Sequence, residues 1–292
     1  MRYFLDSIRT VSYWRYALFS AEAMAKMLAV IGGLYLFIEI LDTFKIYQKD
    51  MYHRYGIIVM IAIAFIYTLA TRRPVNRVRY KVPKKDLTFE VMVGDIFNVP
   101  GEIVISSNST FDTDMASGLI STNSLQGQLA LQVFNGQTAE IDRQIESSLA
   151  NDPFDINESR PGKKKEYPIG TVARVDAGGR RFYLLAMSHM QSTGNAYSNL
   201  RILDEALEGL WKNMRAKGEL GDIVVPLLGT GRGRIAIPRM KIIERIAQSF
   251  SDASQEATFS NKVTIVARPE DASNFSLNLF QVRDYLRQSL HV

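Results

Sequence analysis

Six short apolar runs recur along the chain after residue 86, and polar, turn-forming segments separate them. These runs predict strands at residues 87–94, 102–107, 170–175, 181–187, 222–228 and 262–268. Several runs are apolar on both faces, which is typical of central strands that helices cover on both sides. Helical periodicity predicts helices between the strands, at residues 124–134, 138–150, 199–217, 238–250 and 276–290. The alternation of strands and helices predicts a layered α/β domain.

Burial explains the longest of these helical patterns without any functional assumption. In residues 199–217 the apolar side chains form one stripe, made of Leu200, Leu203, Leu207, Leu210, Trp211 and Met214. A helix packed on a sheet requires such a stripe, so we assign these residues to the core and not to a cofactor site. Residues 151–168, in contrast, are polar, charged and rich in turn formers, which predicts a mobile surface loop.

Two apolar stretches near the N-terminus predict a pair of membrane-spanning helices. Residues 55–71 carry no charge over 17 positions, which is about the shortest stretch that crosses the hydrocarbon core. Residues 21–41 have sufficient length, and their charged side chains lie close to the ends of the stretch. Lys26 can reach the interface, and Glu39 lies where the helix would leave the bilayer. The alternative explanation is a buried helix of a soluble protein.

The flanks of this predicted hairpin set its orientation and the domain boundaries. The segments before the first helix and after the second helix carry ten Lys and Arg in total, whereas the loop between the helices carries three. Because positive residues stay in the cytoplasm, both termini are predicted to be cytoplasmic. Aromatic residues before position 20 predict an amphipathic helix along the interface, and helix packing in an oligomer explains them as well. We therefore divide the chain into a membrane region (1–79), a basic linker (80–86) that is either solvated or held against anionic head groups, and a cytoplasmic domain (87–292).

The charge distribution and composition exclude several classes of function. Residues 1–79 carry 11 Lys and Arg against 5 Asp and Glu, whereas the rest of the chain carries 24 against 25. A nucleic-acid-binding domain should carry the positive charge on its own surface, so we expect no nucleic-acid partner. The chain has no cysteine, which excludes disulfides, thiolate nucleophiles and Cys-based zinc sites. The three histidines show no metal-ligand spacing, so we expect no metal and no cofactor.

The most informative motif is the stretch VVPLLGTGRGRIAIP at residues 224–238. A predicted strand here runs into glycines at alternate positions, followed by a predicted helix. Such a turn presents backbone N–H groups and a helix N-terminus, which together bind an anion, usually a phosphate. The spacing fits neither a P-loop nor a dinucleotide-binding fingerprint, and an ordinary tight turn is the alternative. The candidate ligand-binding residues of this turn are Gly229, Thr230, Gly231, Arg232, Gly233, Arg234 and Ile235.

A second candidate region lies at residues 91–120, where two predicted strands each end in polar residues. Asp95 and Ile96 follow the first strand, and Asn108 follows the second. A carboxylate can accept a hydrogen bond from an exocyclic amine, and an amide side chain can bind ribose hydroxyls. Asp95 and Asn108 also suit ordinary turns, so both explanations remain open for each residue.

Taken together, the turn motifs around Asp95, Asn108 and Gly229 resemble those of macro domains, over residues 87–292. The resemblance implies a three-layer α/β/α fold with a mixed sheet, preceded here by the two-helix transmembrane hairpin. It also implies a site in which Asp95 and Ile96 contact adenine, Asn108 approaches the distal ribose and residues 229–235 hold the diphosphate. The first loop lacks the glycine run and second asparagine of the members that hydrolyse ADP-ribose linkages. We therefore assign no catalytic residue and expect a non-enzymatic protein.

The whole chain also resembles the membrane-macro effector of type II Thoeris antiphage defence systems. This resemblance implies a sensor in the bacterial inner (plasma) membrane that binds an ADP-ribose-type signal, such as histidine-ADP-ribose made by a TIR-domain enzyme. It further implies that the chain forms a homo-oligomer and disrupts the lipid bilayer when the signal binds. The alternatives are a membrane-tethered ADP-ribosylhydrolase and a scaffold that binds ADP-ribosylated proteins.

Overall fold

The computed structural model describes residues 2–46, 53–82, 86–191, 195–217, 220–230, 235, 237–273 and 276–289. The chain divides into two compact units. One comprises Met1–Asn76 together with Ser273–Phe280, and the other comprises Arg77–Ala272 and Gln281–Val292.

The N-terminal unit is helical, and its helices are α1 (Arg2–Ile8), α2 (Val11–Leu18), α3 (Ala21–Thr43) and α4 (His53–Thr71). By length and composition, α3 is the helix of the described chain that is long and apolar enough to cross a membrane. The apolar part of α4, Tyr55–Thr71, is shorter. Apolar side chains on both helices are exposed, including Leu28, Leu36, Ile58 and Ile66. Both helices occur where the sequence predicts them.

Polar contacts fix the end of this hairpin where α3 begins and α4 ends. The Arg72 guanidinium donates to the Tyr16 carbonyl and to Ser20 Oγ, and it lies 4.0 Å from the centroid of the Tyr16 ring. Lys26 Nζ donates to Thr71 Oγ1 at 3.2 Å. The Ser20 hydroxyl also caps α3 by accepting from the Ala23 N–H. The start of α3 and the end of α4 are therefore polar, as the charged flanks of the predicted hairpin require.

The second unit contains a seven-stranded sheet with the order β1-β2-β11-β10-β3-β7-β6. Its strands are β1 (Arg77–Lys81), β2 (Thr88–Val93), β3 (Glu102–Ser107), β6 (Val172–Ala177), β7 (Arg180–Ala186), β10 (Ile223–Pro226) and β11 (Lys262–Ala267). The five central strands are parallel, and the edge strands β1 and β6 are antiparallel to their neighbours. Short hairpins are formed by β4 (Asp155–Ile156) with β5 (Lys165–Glu166) and by β8 (His189–Met190) with β9 (Ala196–Tyr197). The mixed sheet confirms what the resemblance to macro domains implies, and six of its seven strands overlap the predicted ones.

Helices cover both faces of the sheet, which confirms the predicted α/β/α layers. One layer contains α5 (Leu125–Gln128), the π-helix Leu129–Val133 that continues it, and α6 (Thr138–Ser148). These helices share a core with Ile103, Ile105 and Leu184. The opposite face of the same strands buries Val104 and Tyr183. There α7 (Leu200–Lys217) packs on α8 (Arg239–Glu256), and the chain continues through β11 to α9 (Leu279–Ser289).

Strand β1 departs from the sequence-based expectation, which placed residues 80–81 in the basic linker and residues 77–79 in the membrane region. Along β1, Val78 and Tyr80 are buried, and they alternate with the exposed basic residues Arg77, Arg79 and Lys81. This period of two lets the strand pair with β2 while Arg77 and Arg79 approach the buried Glu90 carboxylate. The positive charges therefore belong to the sheet edge and not to a linker. Residues 83–85 lie outside the described residues.

The segment 151–168 is also more ordered than the predicted mobile loop. It contains the β4–β5 hairpin, and the side chains of Arg160 and Tyr167 are buried. The Tyr167 N–H donates to the Ser109 carbonyl at 2.8 Å, and the Tyr167 ring packs edge to face on Phe111. An ion pair with Glu166 holds Arg160. Polar composition alone concealed these long-range contacts.

Candidate functional site

The turns with candidate residues all leave the same edge of the sheet. Strands β2, β11, β10, β3 and β7 are parallel, so their carboxyl ends lie side by side. Asp95 and Ile96 follow β2, Gly229 and Thr230 follow β10, and Asn108 follows β3. Ligands of parallel α/β sheets bind in the crevice at this edge. The three predicted motifs therefore lie at the same edge of the sheet, although they are far apart in sequence.

A cavity opens at this edge and encloses about 960 Å³ of empty space, counting the part open to solvent. Its walls include four of the predicted residues, which are Ile96, Asn108, Gly229 and Thr230. The remaining described walls come mainly from residues 119–126, from the end of β7, from the β8–β9 hairpin and from the turn after β11. Serines and apolar residues make up much of the cavity lining.

Asp95 itself is exposed at the turn beside the cavity and does not line it. Its carboxylate caps the 3-10 turn Ile96–Asn98, accepting from the Phe97 N–H at 3.0 Å and from Asn98 Nδ2 at 3.1 Å. These bonds orient the turn so that the next residue, Ile96, is buried and reaches the cavity. The geometry shows the turn-forming role of Asp95 directly.

Asn108 is buried and held by a polar network at the end of β3. Its Nδ2 donates to Asp112 Oδ2 at 3.0 Å, and its Oδ1 accepts from the Asp112 N–H at 3.0 Å and from Thr110 Oγ1 at 3.2 Å. Asp112 also accepts from the Lys163 N–H at 2.8 Å. Because these partners fix the amide, the first loop after β3 presents a rigid surface to the cavity.

The turn after β10 needs glycine at position 229 for two local reasons. Gly229 has a φ of +77°, which side chains with a Cβ rarely adopt. A Cβ at this position would also lie 2.3 Å from Ile235 Cδ1. The Ile235 N–H closes the turn by donating to the Gly229 carbonyl at 3.0 Å, and Thr230 Oγ1 donates to the Leu227 carbonyl at 2.9 Å. Gly231, Arg232, Gly233 and Arg234 lie outside the described residues.

Two charged residues of the cavity wall were missed by the sequence analysis. Arg268 and Asp271 lie in the turn after β11, which is the strand between β2 and β10. Neither residue belongs to a recognisable motif. The only signal in the sequence was the position of Arg268 at the end of a predicted strand and of Asp271 shortly after it. In the described part of the chain, no three His, Asp or Glu side chains converge as metal ligands.

An ion pair beside the cavity ties the β5 strand to the β8 strand. Arg160 Nη1 lies 2.6 Å from Glu166 Oε1, and that oxygen also contacts His189 Nδ1 at 3.1 Å and Ser109 Oγ at 3.0 Å. Burial alone would raise the pKa of Glu166, but the hydrogen bonds from His189, Asn157 and Ser109 and the charge of Arg160 outweigh it and lower the pKa to about 2. The Arg160 guanidinium also donates to the carbonyl of Met190, a cavity residue. The pair thus holds the cavity wall in place.

Comparisons with known proteins agree with this architecture. A family model described as Thoeris protein ThsA, Macro domain matches residues 89–268. A single-substitution mutant of the Oceanobacillus iheyensis macrodomain superimposes with a TM-score of 0.50 at 16% identity, over 73% of this chain and 99% of that chain. The same macrodomain with ADP gives a TM-score of 0.49 at 15% identity, over 73% and 96%. No curated protein matches the chain. Because the matched family model spans more than half of the sequence, the chain belongs to the family of the Thoeris protein ThsA macro domain.

Proposed function

We propose that this protein is a membrane-anchored sensor and effector of bacterial antiphage defence that binds an ADP-ribose derivative. The observation that carries the proposal is the cavity at the carboxyl ends of the parallel strands, which Ile96, Asn108 and the Gly229 turn line together. Family membership and the macrodomain fold favour an ADP-ribose-type ligand in this cavity. The proposed ligand-binding residues are Asp95, Ile96, Asn108, Gly229, Thr230, Gly231, Arg232, Gly233, Arg234 and Ile235.

The effector part of the proposal assigns the N-terminal helices to the inner (plasma) membrane. One helix that is long and apolar enough to span a bilayer, and the exposed apolar side chains of α3 and α4, support this assignment. The segments that precede and follow the hairpin carry more Lys and Arg than its loop, which favours cytoplasmic termini and a cytoplasmic cavity. Binding of the signal shifts the protein to a clustered form only if the ligand prefers that form, so a homo-oligomer with higher affinity is part of the proposal.

The proposal includes an enzymatic source for the ligand. A TIR-domain enzyme that converts NAD into an ADP-ribose conjugate, such as histidine-ADP-ribose, supplies the signal. On this proposal the chain binds the conjugate without consuming it, needs no cofactor or metal and disrupts the membrane when it clusters. The match to a Thoeris family favours a signal of the Thoeris type.

A pair of variants on one short strand tests the cavity. Ala196 lines the cavity, whereas its neighbour on β9, Tyr197, is exposed and does not line it. Successive residues of a strand point to opposite faces, so Ala196→Trp fills the cavity and Tyr197→Trp leaves it open. We expect Ala196→Trp to weaken binding of ADP-ribose to the full-length protein in lipid nanodiscs by at least about tenfold, which calorimetry measures. Equal affinities for the two variants would contradict the proposed site.

The same preparation separates the sensor from the hydrolase alternative. We expect saturable binding of ADP-ribose, with ADP-ribosylated protein and acetyl-ADP-ribose left intact after incubation. Release of free ADP-ribose from either substrate would indicate an ADP-ribosylhydrolase. A protein that binds ADP-ribosylated protein but not the free nucleotide would instead be a scaffold.

A further inference from the structure

The described walls of the cavity carry charge at one place only, the turn after β11. Arg268 and Asp271 contribute this charge, and the other described wall residues are polar or apolar but uncharged. The turn is closed by backbone bonds, because the N–H groups of Asp271 and Ala272 donate to the Arg268 carbonyl at 3.0 and 3.3 Å. The charged pair therefore lies where it can contact a ligand in the cavity.

Asp271 contacts two guanidinium groups at once. One carboxylate oxygen lies 3.4 Å from Arg268 Nε, and the other lies 3.5 Å from Arg239 Nη2. Arg239 is the first residue of α8, the helix that follows the glycine turn. Two cations against one carboxylate leave a net charge of about +1 in this cluster. Asp271 is 7% exposed, whereas the side chains of Arg268 and Arg239 are 36% and 44% exposed, so the arginines retain donors for a further anion.

The position of the cluster selects the part of a ligand that meets it. Strand β11 lies between β2 and β10 in the sheet, so Arg268 stands between the Ile96 turn and the Gly229 turn. A nucleotide that reaches both turns must pass this guanidinium. The planar guanidinium group matches phosphate oxygens, to which it donates two parallel hydrogen bonds.

We propose that Arg268 binds a phosphate oxygen of the nucleotide and that Asp271 is a positioning residue that aims Arg268 into the cavity. The inference rests on the proposed function, because it assumes a ligand with a diphosphate group. It adds a phosphate contact from the turn after β11 to the contacts expected from the glycine turn. It also explains a carboxylate inside a cavity for an anion, since the carboxylate orients an arginine.

Full-length variants in lipid nanodiscs test the assignment by calorimetry with ADP-ribose at several salt concentrations. Arg268→Gln should weaken binding roughly 10- to 100-fold, the loss expected when a hydrogen bond to a charged group is removed. It should also reduce the salt dependence of the affinity, because one ionic contact disappears. Arg268→Lys, which keeps the charge but not the fork of donors, should lie between the wild type and Arg268→Gln. Arg245→Gln is the matched control, since Arg245 pairs with Asp204 on an exposed surface.

Asp271→Asn separates positioning from simple electrostatics. If Asp271 acted only through its negative charge, its removal would strengthen binding of an anion; we expect instead that binding weakens several-fold and that Asp271→Glu restores part of it. Unchanged binding by Arg268→Gln, or tighter binding by Asp271→Asn, would overturn this inference and leave the proposed function standing. A wild-type protein that binds neither ADP-ribose nor ADP would overturn both.

Discussion

The turn after β10 offers a sharp test of the structure, through the substitution Gly229→Ala. Gly229 has a φ of +77°, and Ile235 packs against its bare Cα. Gly136 has a φ of +79°, but a Cβ there would meet nothing within 4 Å. The two glycines therefore share the backbone requirement and differ only in the steric one. Gly136→Ala is the matched control.

Two contributions determine the expected loss of folding free energy, the backbone conformation and the steric contact. The left-handed conformation costs an alanine roughly 1–2 kcal/mol, and this term applies to both variants. Only Gly229→Ala adds a close approach of 2.3 Å to Ile235 Cδ1 and 2.7 Å to Ile235 Cγ1. Forcing an extra carbon into a filled space typically costs about 1–3 kcal/mol. We therefore expect Gly229→Ala to lose more folding free energy than Gly136→Ala by about that amount.

Thermal unfolding of the full-length protein in detergent measures the difference. For a unit of this size, 1–3 kcal/mol corresponds to roughly 2–12 °C in the midpoint. Ile235→Ala removes both colliding atoms, so a double-mutant cycle should return a coupling free energy of about 1–3 kcal/mol between the two positions. If Gly229→Ala unfolds at the same temperature as Gly136→Ala, or the cycle shows no coupling, Ile235 does not pack on Gly229 and this turn geometry is wrong.

Two further predictions concern the ion pair and the hairpin. Glu166, with its pKa lowered to about 2, stabilises the fold above its ordinary pKa of 4.5 and loses this contribution as the pH falls towards 2. Between pH 5 and pH 2, the free energy of unfolding of the wild type should therefore fall by about 1–2 kcal/mol more than that of Glu166→Gln, a figure that allows for screening at a partly exposed site. Urea unfolding measures both free energies, and an equal fall in the two proteins would contradict this prediction. Between Lys26 and Glu39, α3 has only 12 uncharged residues, or about 18 Å against roughly 30 Å of hydrocarbon. Insertion should thus be more complete in vesicles with 14-carbon than with 22-carbon lipid chains, and equal insertion, measured by flotation, would argue against a spanning α3.

The strands of the central sheet were predictable because burial on both faces leaves an unmistakable pattern. Strand β3, for example, buries Ile103 and Ile105 on one face and Val104 on the other, and the sequence there is an unbroken apolar run. The stripe of α7 was equally clear, since Trp211 and Leu207 belong to a single face and both are fully buried. Local sequence specifies such elements because the hydrophobicity of each residue indicates whether that position is buried.

The elements that were missed depend on residues far apart in sequence. Strand β1 alternates basic and apolar residues, and only the Glu90 carboxylate of β2 makes it favourable to hold Arg77 and Arg79 on one face of the sheet edge. The ordered segment around Arg160 depends on Ser109 and Met190, which lie 51 and 30 residues away. A single sequence reveals the charge of these residues but not the distant groups that they contact. Arg268 was missed because its place in the cavity depends on the order of strands that are far apart in sequence.

The strand order explains why the site includes both the predicted glycine turn and the turn after β11, which the sequence did not reveal. Ile96 and Asn108 are close in sequence, but β11 and β10 are inserted between β2 and β3, so the two residues are three strand spacings, or about 14 Å, apart. A ligand that contacts both must be extended, and it must cross the ends of the two inserted strands. Those ends carry Arg268 and Gly229, both of which line the cavity. The central part of the ligand therefore meets a guanidinium and a glycine turn, a pair of features that suits a diphosphate better than a nucleoside, which is too short to span the same edge.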